Sequence, residues 1–436
     1  MAITQQTLIG WQAVEASGDL KILSYVLDHL GDEQLLLTLE AGRAGRRDKY
    51  PLRAVWNAFL ASIVLGHGTV AALIRELRRN AELRQVLGFD PLLGSDAVPP
   101  DYVFSRLLNK LLKHSEAVER IFTNLVSKLF KLLPDFGKHL AADGKAIHSV
   151  RRSDMEAGAG KKTTTDEAET IVFTWHGFKI HCLCDATHEL PIAFDVTAAN
   201  ENDSPHLLPL LEKAFEEHSE LEERAESVAA DKGYDDGGDK KTIHDEFGIA
   251  PIIPPRDLAK GAHKPLDEKH NDTIYIAPDG EVSCRHDPFN EDVGKQFCAM
   301  QFCGYERERD TLKFRCPASA YGLECKNKDA CRSAVKDKGH GRTIRIPLDK
   351  NPRLFLPVYT KSRRFERLYN MRTGIERMFY RLDHLFGLEM PLRTVGLRKA
   401  KLRVGLALSA MVATAIGWLA EERHDMIRSR LQTSAA

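Results

Sequence analysis

The feature that most constrains this chain is a change of hydrophobic period near His139. Before it, apolar residues recur every three to four positions, the spacing of one helix face. Leu52, Val55, Trp56, Phe59, Leu60 and Ile63 form one stripe, and Val70, Leu73, Ile74 and Leu77 a second. A third runs through Phe104, Leu107, Leu108, Leu111, Leu112, Val118, Ile121, Phe122, Leu125 and Leu129. Pro51 suits a first helical turn, and GSDAVPPD at 94–101 carries turn chemistry. After His139 the period falls to about two: Phe178, Ile180 and Cys182 alternate with Lys179, His181 and Leu183. Strands are expected at 139–150, 171–185, 190–200, 227–231 and 249–255. DATHEL makes a hairpin turn, and residues 204–226 form a helix with Leu207, Leu208, Leu211 and Phe215 on one side. The Gly- and Thr-rich stretch Ser153–Thr170 reads as a flexible loop. The order is mixed α/β behind an all-helical N-terminal region, not a regular βαβ alternation.

A length of 436 residues allows two or three domains. Hydrophobic residues at 43% and charged residues at 28% exclude a mostly disordered chain. The 62 basic residues balance 62 acidic ones, so only local clustering bears on a nucleic-acid partner. Arg43, Arg46, Arg47, Lys49 and Arg53 cluster, either as a solvated face or as a DNA-contacting segment. Residues 361–403 hold twelve Lys or Arg against four Asp or Glu. No secretory signal is read at the N-terminus. The longest uncharged run, Val404 to Ala420, has 17 residues, short of the ~20 that a spanning helix needs, so it is expected inside a core rather than in a membrane.

Residues 256–350 are polar and hold six of the eight cysteines, as an insertion would. Cys303, Cys316, Cys325 and Cys331, with Cys284 and Cys298 nearby, lack the tight CxxC pairs of common zinc sites. Thiols without a ligand are the expectation, and a structural Zn²⁺ the alternative. Cys182 and Cys184 share one strand face and are expected in the core.

Two strands end alike, in Ala141-Ala142-Asp143-Gly144-Lys145 and in Ala229-Ala230-Asp231-Lys232-Gly233. Each puts a carboxylate just past an apolar run, where sheet proteins place ligand-binding groups; an Asp opening a turn is the plainer reading. Tyr369, Arg372, Glu376 and Asp383 are spaced three, four and seven apart, one polar helix face beside an apolar stripe of Leu368, Met371, Ile375 and Leu382. A surface Arg–Glu pair is the plainer reading there. Together Asp143, Asp231 and Glu376 suit hard divalent cations, which take oxygen ligands and substrate phosphates. A pair of such ions can drive phosphodiester displacement.

AADGK at 141–145, AADKGYDD at 229–236 and YNMRTGIERMF at 369–379 resemble the DDE transposases of bacterial insertion sequences, with their Tyr-x2-Arg-x3-Glu signature. ANENDSPHLLPLL at 199–211, the tail from Arg393 to Gly417 and the helices around Pro51–Leu77 share the resemblance. It implies a ribonuclease H-like catalytic domain with a mixed five-stranded sheet. The implied division is a helical DNA-binding domain at 1–135, catalytic parts at 136–255 and 351–436, and a Cys-containing insertion at 256–350. It further implies Asp143, Asp231 and Glu376 as ligands of Mg²⁺ or Mn²⁺, and DNA contacts from Tyr369, Arg372, Lys145, Lys232 and Arg377. The implied reaction is cleavage at the element's terminal inverted repeats and strand transfer into target DNA, by a homodimer at the nucleoid. The signature often continues with a lysine seven residues after the glutamate. Here that position is Asp383, which bears on how the terminal strand is gripped. Rival readings are a nuclease of the same fold without strand transfer, an inactive DNA-binding relative, and a zinc-dependent regulator.

Overall fold

The computed structural model describes residues 19–42, 49–165, 170–256, 263–267, 274–285, 297–322, 342–388, 393 and 395–428. Arg43, Arg46, Arg47, Cys325 and Cys331 lie outside the described residues. Helices come first: α1 (Asp19–His29), α2 (Glu33–Ala41), α3 (Leu52–Val64), α4 (Val70–Arg79), α5 (Ala81–Val86), α6 (Asp101–Lys113) and α7 (Ser115–Leu132). The three apolar stripes fall on α3, α4 and the α6–α7 pair, and bury most of their residues in the core. Thr69 caps α4 by accepting a hydrogen bond from the Ala72 amide. Pro51 is the N-cap of α3, one place before the helical turn expected of it.

The main sheet holds β1 (His139–His148), β2 (Gly158–Thr165), β3 (Thr170–Asp185) and β4 (Leu190–Ala198). After α8 (Leu207–Glu217) and α9 (Glu220–Arg224) come β5 (Ser227–Ala229), α10 (Gly237–Asp245) and β6 (Ala250–Ile252). β1 and β4 flank the second half of β3, both antiparallel to it. β5 joins β1 in parallel, and β6 joins β5 in parallel. The sheet therefore has six strands rather than five. The extra one, β2, lies where a loop was expected. Its polar sequence has no apolar alternation to announce it; it is held by backbone pairing to the first half of β3. Gly160 makes room for the Trp175 indole, which a Cβ there would meet at 2.3 Å.

The insertion is more ordered than its polar sequence announces. β7 (Lys264–Pro265), β8 (Ile274–Ile276), β9 (Val282–Cys284) and β10 (Cys298–Ala299) form one small sheet. β11 (Gln301–Glu306), β12 (Thr311–Arg315) and β13 (Thr343–Pro347), with α11 (Pro317–Ala320), form another group. They share a core of their own around Val282, Leu312, Phe314, Ile346 and Phe355.

Three helices close the chain: α12 (Arg363–Asn370), α13 (Thr373–Phe386) and α14 (Leu397–Ala420). α14 contains the long uncharged run. Its length and composition would let it cross a membrane, yet 89% of its apolar window lies inside the protein. It packs on α7, α1, α3 and β4, so helices and sheet share one continuous core. Each large side chain buried there contributes about 1.5–3 kcal/mol. Phe194 of β4 is the hinge pin of this contact. It meets Phe122 of α7 edge-on at 5.2 Å and lies under Gly405 of α14, where a Cβ would stand only 3.0 Å from its ring. Phe194→Ala is expected to cost about 3–5 kcal/mol in urea unfolding; a loss below about 1 kcal/mol would show that α14 docks without it.

Candidate active site

Parallel pairing between β1 and β5 sets the first two acids. Ala141 stands opposite Ala229, and the chain reaches each aspartate two residues later, so Asp143 within β1 and Asp231 just past the end of β5 lie near one another. Asp143 continues in β1 opposite Cys182 of β3, while Asp231 caps a 3-10 turn by accepting from the Gly233 amide at 2.6 Å. Asp143 accepts from the Gly144 amide at 2.8 Å, and its side chain is 23% exposed. Burial pushes its proton affinity up to about 6, with Asp231 and Asp203 adding like-charge repulsion against the Gly144 amide and Arg372. Cys182 beneath it is buried, which drives its thiol far above the usual range.

The third acid arrives on a helix that is broken where the sequence reads as continuous. α12 ends at Asn370 and α13 begins at Thr373, so Tyr369 and Glu376 sit on different helices. The break lets the chain come close to the β3–β4 turn: a Cβ on Gly374 would stand 2.7 Å from the Ala186 carbonyl oxygen. Arg372, at the joint, gathers the site. One guanidinium nitrogen donates to Glu376 at 2.7 Å and another lies 3.8 Å from Asp143. Its charge also lies 5.7 Å from the centre of the Tyr369 ring, and Tyr369 stacks on Phe365.

One turn further along, β1 and α13 meet again. Lys145, on the same strand face as Asp143, pairs with Asp383 at 2.6 Å and lies 5.9 Å from the Phe379 ring centre. The acid at the position where the signature often has lysine thus faces a lysine contributed by the neighbouring strand. Arg377 is engaged elsewhere, with Glu189 at 2.5 Å. Lys232 is exposed beside Asp231.

Sequence reasoning missed two acids. Asp203, in the 199–211 motif, lies 3.1 Å from Lys179 and 3.5 Å from His181. Its carboxylate fills the place of a Gly144 side chain, since a Cβ there would meet it at 2.3 Å. Burial pushes His181 down to about 3, helped by His206 and Lys179, so its ring is neutral. Asp235 is buried against Lys240 at 2.6 Å and Arg353 at 2.7 Å, and accepts from the Arg256 amide at 2.7 Å. That network ties the Asp231 turn to the end of β6 and to the far end of the insertion. The only sequence signal was that AADKGYDD holds more acids than one site needs.

The donor set suits a divalent cation: carboxylate oxygens, like charges side by side, and a guanidinium drawn in among them. Among the described residues no three Asp, Glu, His or Cys side chains stand close enough together to hold one ion, because Glu376 is turned to Arg372. Of the insertion's thiols, Cys303 is exposed and Cys316 half-buried.

These acids on a mixed sheet closed by C-terminal helices are the frame of a DNA-processing enzyme class. A family model described as a transposase DDE domain matches residues 134–413. The chain belongs to the DDE transposase family. Its members use divalent metal ions. No curated protein matches the chain. Among solved structures it is similar to piggyBac transposase in a synaptic complex with hairpin DNA, determined by cryo-EM, with 10% identity over 96% of this chain and 80% of that one and a TM-score of 0.38.

Two outcomes follow from the electrostatics. An acid whose proton affinity rises on folding stabilises the fold below about pH 4, and that contribution is lost as pH rises through about 6. Without divalent ions, Asp143→Asn is therefore expected to be more stable than wild type at pH 8 by up to about 3 kcal/mol and nearly equal at pH 4. Urea unfolding at both values checks this, and an Asn variant that is weaker at pH 8 would contradict it. Asp383→Lys should cost about 1–3 kcal/mol by setting two cations against each other. Adding Lys145→Asp should recover most of that loss in thermal unfolding. Additive losses would mean the two side chains do not interact.

Proposed function

We propose that this chain is the transposase of a bacterial insertion sequence, cutting at the element's terminal inverted repeats and joining the freed ends to target DNA. The observation that carries the reading is the convergence of Asp143, Asp231 and, through Arg372, Glu376, inside a chain of the DDE transposase family. Asp143, Asp231 and Glu376 would hold a pair of Mg²⁺ ions, with Mn²⁺ as a substitute. Bound there, the ions would activate the attacking oxygen and neutralise the leaving one in phosphodiester displacement.

The chain's own residues do the rest. Asp143 and Asp231 are fixed by amide hydrogen bonds from Gly144 and Gly233, so the pair is set before substrate arrives. Arg372 holds Glu376 until the acid is needed, and its guanidinium is then free for a DNA phosphate. Tyr369, beside Arg372, offers a ring face to an unstacked base at the element end. Lys232, exposed beside Asp231, gives positive charge to the strand being cut, and Lys145 would do so on exchanging Asp383 for a phosphate. Two element ends must be brought together, which two copies of the chain would do. The enzyme would act on DNA in the cell interior.

Asp143→Ala, Asp231→Ala and Glu376→Ala are each expected to lower Mg²⁺-dependent cleavage of an element end by at least about a hundredfold, with folding and DNA binding retained. A pre-cut end supplied with plasmid should be joined by wild type and not by the variants. Full cleavage by any one variant would remove that residue from the triad, and cleavage without joining would make the protein a nuclease.

A further inference from the structure

The C-terminal segment carries a large excess of basic residues, and the structure divides that charge into two kinds. Most cations of α13 and α14 are matched from within. Arg372 meets Glu376 and Asp143, Arg377 and Arg381 meet Glu189, and Lys401 meets Glu119 and Asp195. Arg398 donates to the Leu112 carbonyl. These charges are spent on holding the fold together.

α12 differs. Phe365 and Leu368 sink against Ala229 of β5, Ile252 of β6 and Val358. The other side presents Arg363, Arg364 and Arg367, all exposed. Among the described residues none of the three has a hydrogen bond, an ion pair or a ring contact. Glu366 is the sole acid on the helix. Arg363 and Arg367 are four apart, Arg364 and Arg367 three apart, so their Cβ atoms lie about 5–6 Å from one another. The helix is about 12 Å long; Arg364 near its start acts on His139 at the start of β1, and past its end the chain turns to Arg372, 3.8 Å from Asp143.

A phosphodiester approaching Asp143 and Asp231 is repelled by them, and uncompensated cations along the helix that leads to Arg372 offset that repulsion at longer range. Guanidinium groups pair with phosphate through two hydrogen bonds at once. We infer that the arginine face of α12 is a docking surface for the phosphate backbone of duplex DNA, guiding the strand to the acids. The inference rests on the reading of this chain as an enzyme acting on DNA. It adds three residues outside the signature and gives the leftover charge of the C-terminal segment a partner.

The test is the salt dependence of binding to a labelled duplex of arbitrary sequence, followed by fluorescence anisotropy between about 50 and 200 mM salt. Each phosphate neutralised contributes a slope of about 0.9 in log affinity against log salt. Replacing Arg363, Arg364 and Arg367 together by alanine should flatten the slope by about 2 to 3, with circular dichroism and thermal midpoint unchanged. Replacing all three by lysine should keep most of it. Glu366→Lys should steepen it by about 1. If wild type binds and the alanine variant shows the same slope, or Glu366→Lys changes nothing, this surface is not the docking site, while the transposase reading stands. A wild type with no salt-dependent DNA binding would overturn both.

Discussion

Burial of the Asp143 carboxylate beside a second acid is the constraint around which this site is arranged. Parallel pairing of β1 with β5 leaves no choice about where Asp143 and Asp231 emerge. Two negative charges on neighbouring strand ends, partly buried, are costly to keep ionised. The surroundings answer with amides of Gly144 and Gly233, the guanidinium of Arg372, and a proton held on Asp143 up to about pH 6. On the proposed reading, each of these does in part what a bound divalent cation would do. Family membership and donor chemistry thus lead to the same account of what the site is for.

That arrangement needs a rigid frame, because Glu376 reaches the site from the C-terminal end of the chain. α14 supplies it. A helix whose last 17 residues carry no charge, driven between the N-terminal helices and the sheet, joins both ends of the sequence in one core, and α13 is held against β1 and β3. Arg381 and Arg377, tied to Glu189 at the β3–β4 turn, fix how far α13 can slide. Lys145 and Asp383 tie it to β1 as well. The insertion is anchored separately, through Arg353 and the buried Asp235 next to the Asp231 turn.

Much of this was legible in the residues, for identifiable reasons. Helical stripes and the period-two run of β3 are local patterns, so α3, α4, α6, α7 and the β3–β4 hairpin could be placed by spacing alone. The two Ala-Ala-Asp motifs were readable because an apolar run stops abruptly at a charge, although only β5 ends there and β1 continues through Asp143 to His148. β2 was not, since a strand held by backbone pairing and a glycine under an indole has no side-chain period. The break at Arg372 was hidden because the apolar positions keep their helical spacing across it, and only the approach of Gly374 to Ala186 shows why the helix must interrupt itself. Long-range polar pairs such as Lys145 with Asp383 and Asp203 with Lys179 leave no local trace, which is why Asp383 read as a bare departure from the signature.

On the proposed reading, three acids from distant parts of the sequence would hold metal together. Loading the full chain with Fe²⁺ in place of Mg²⁺ and adding ascorbate and peroxide generates hydroxyl radicals at the metal site, which cut the nearest backbone. The account predicts three separate cuts, around Asp143, Asp231 and Glu376, all suppressed by excess Mg²⁺. Cuts confined to the cysteine-bearing insertion, or none near Glu376 when the other two appear, would contradict it.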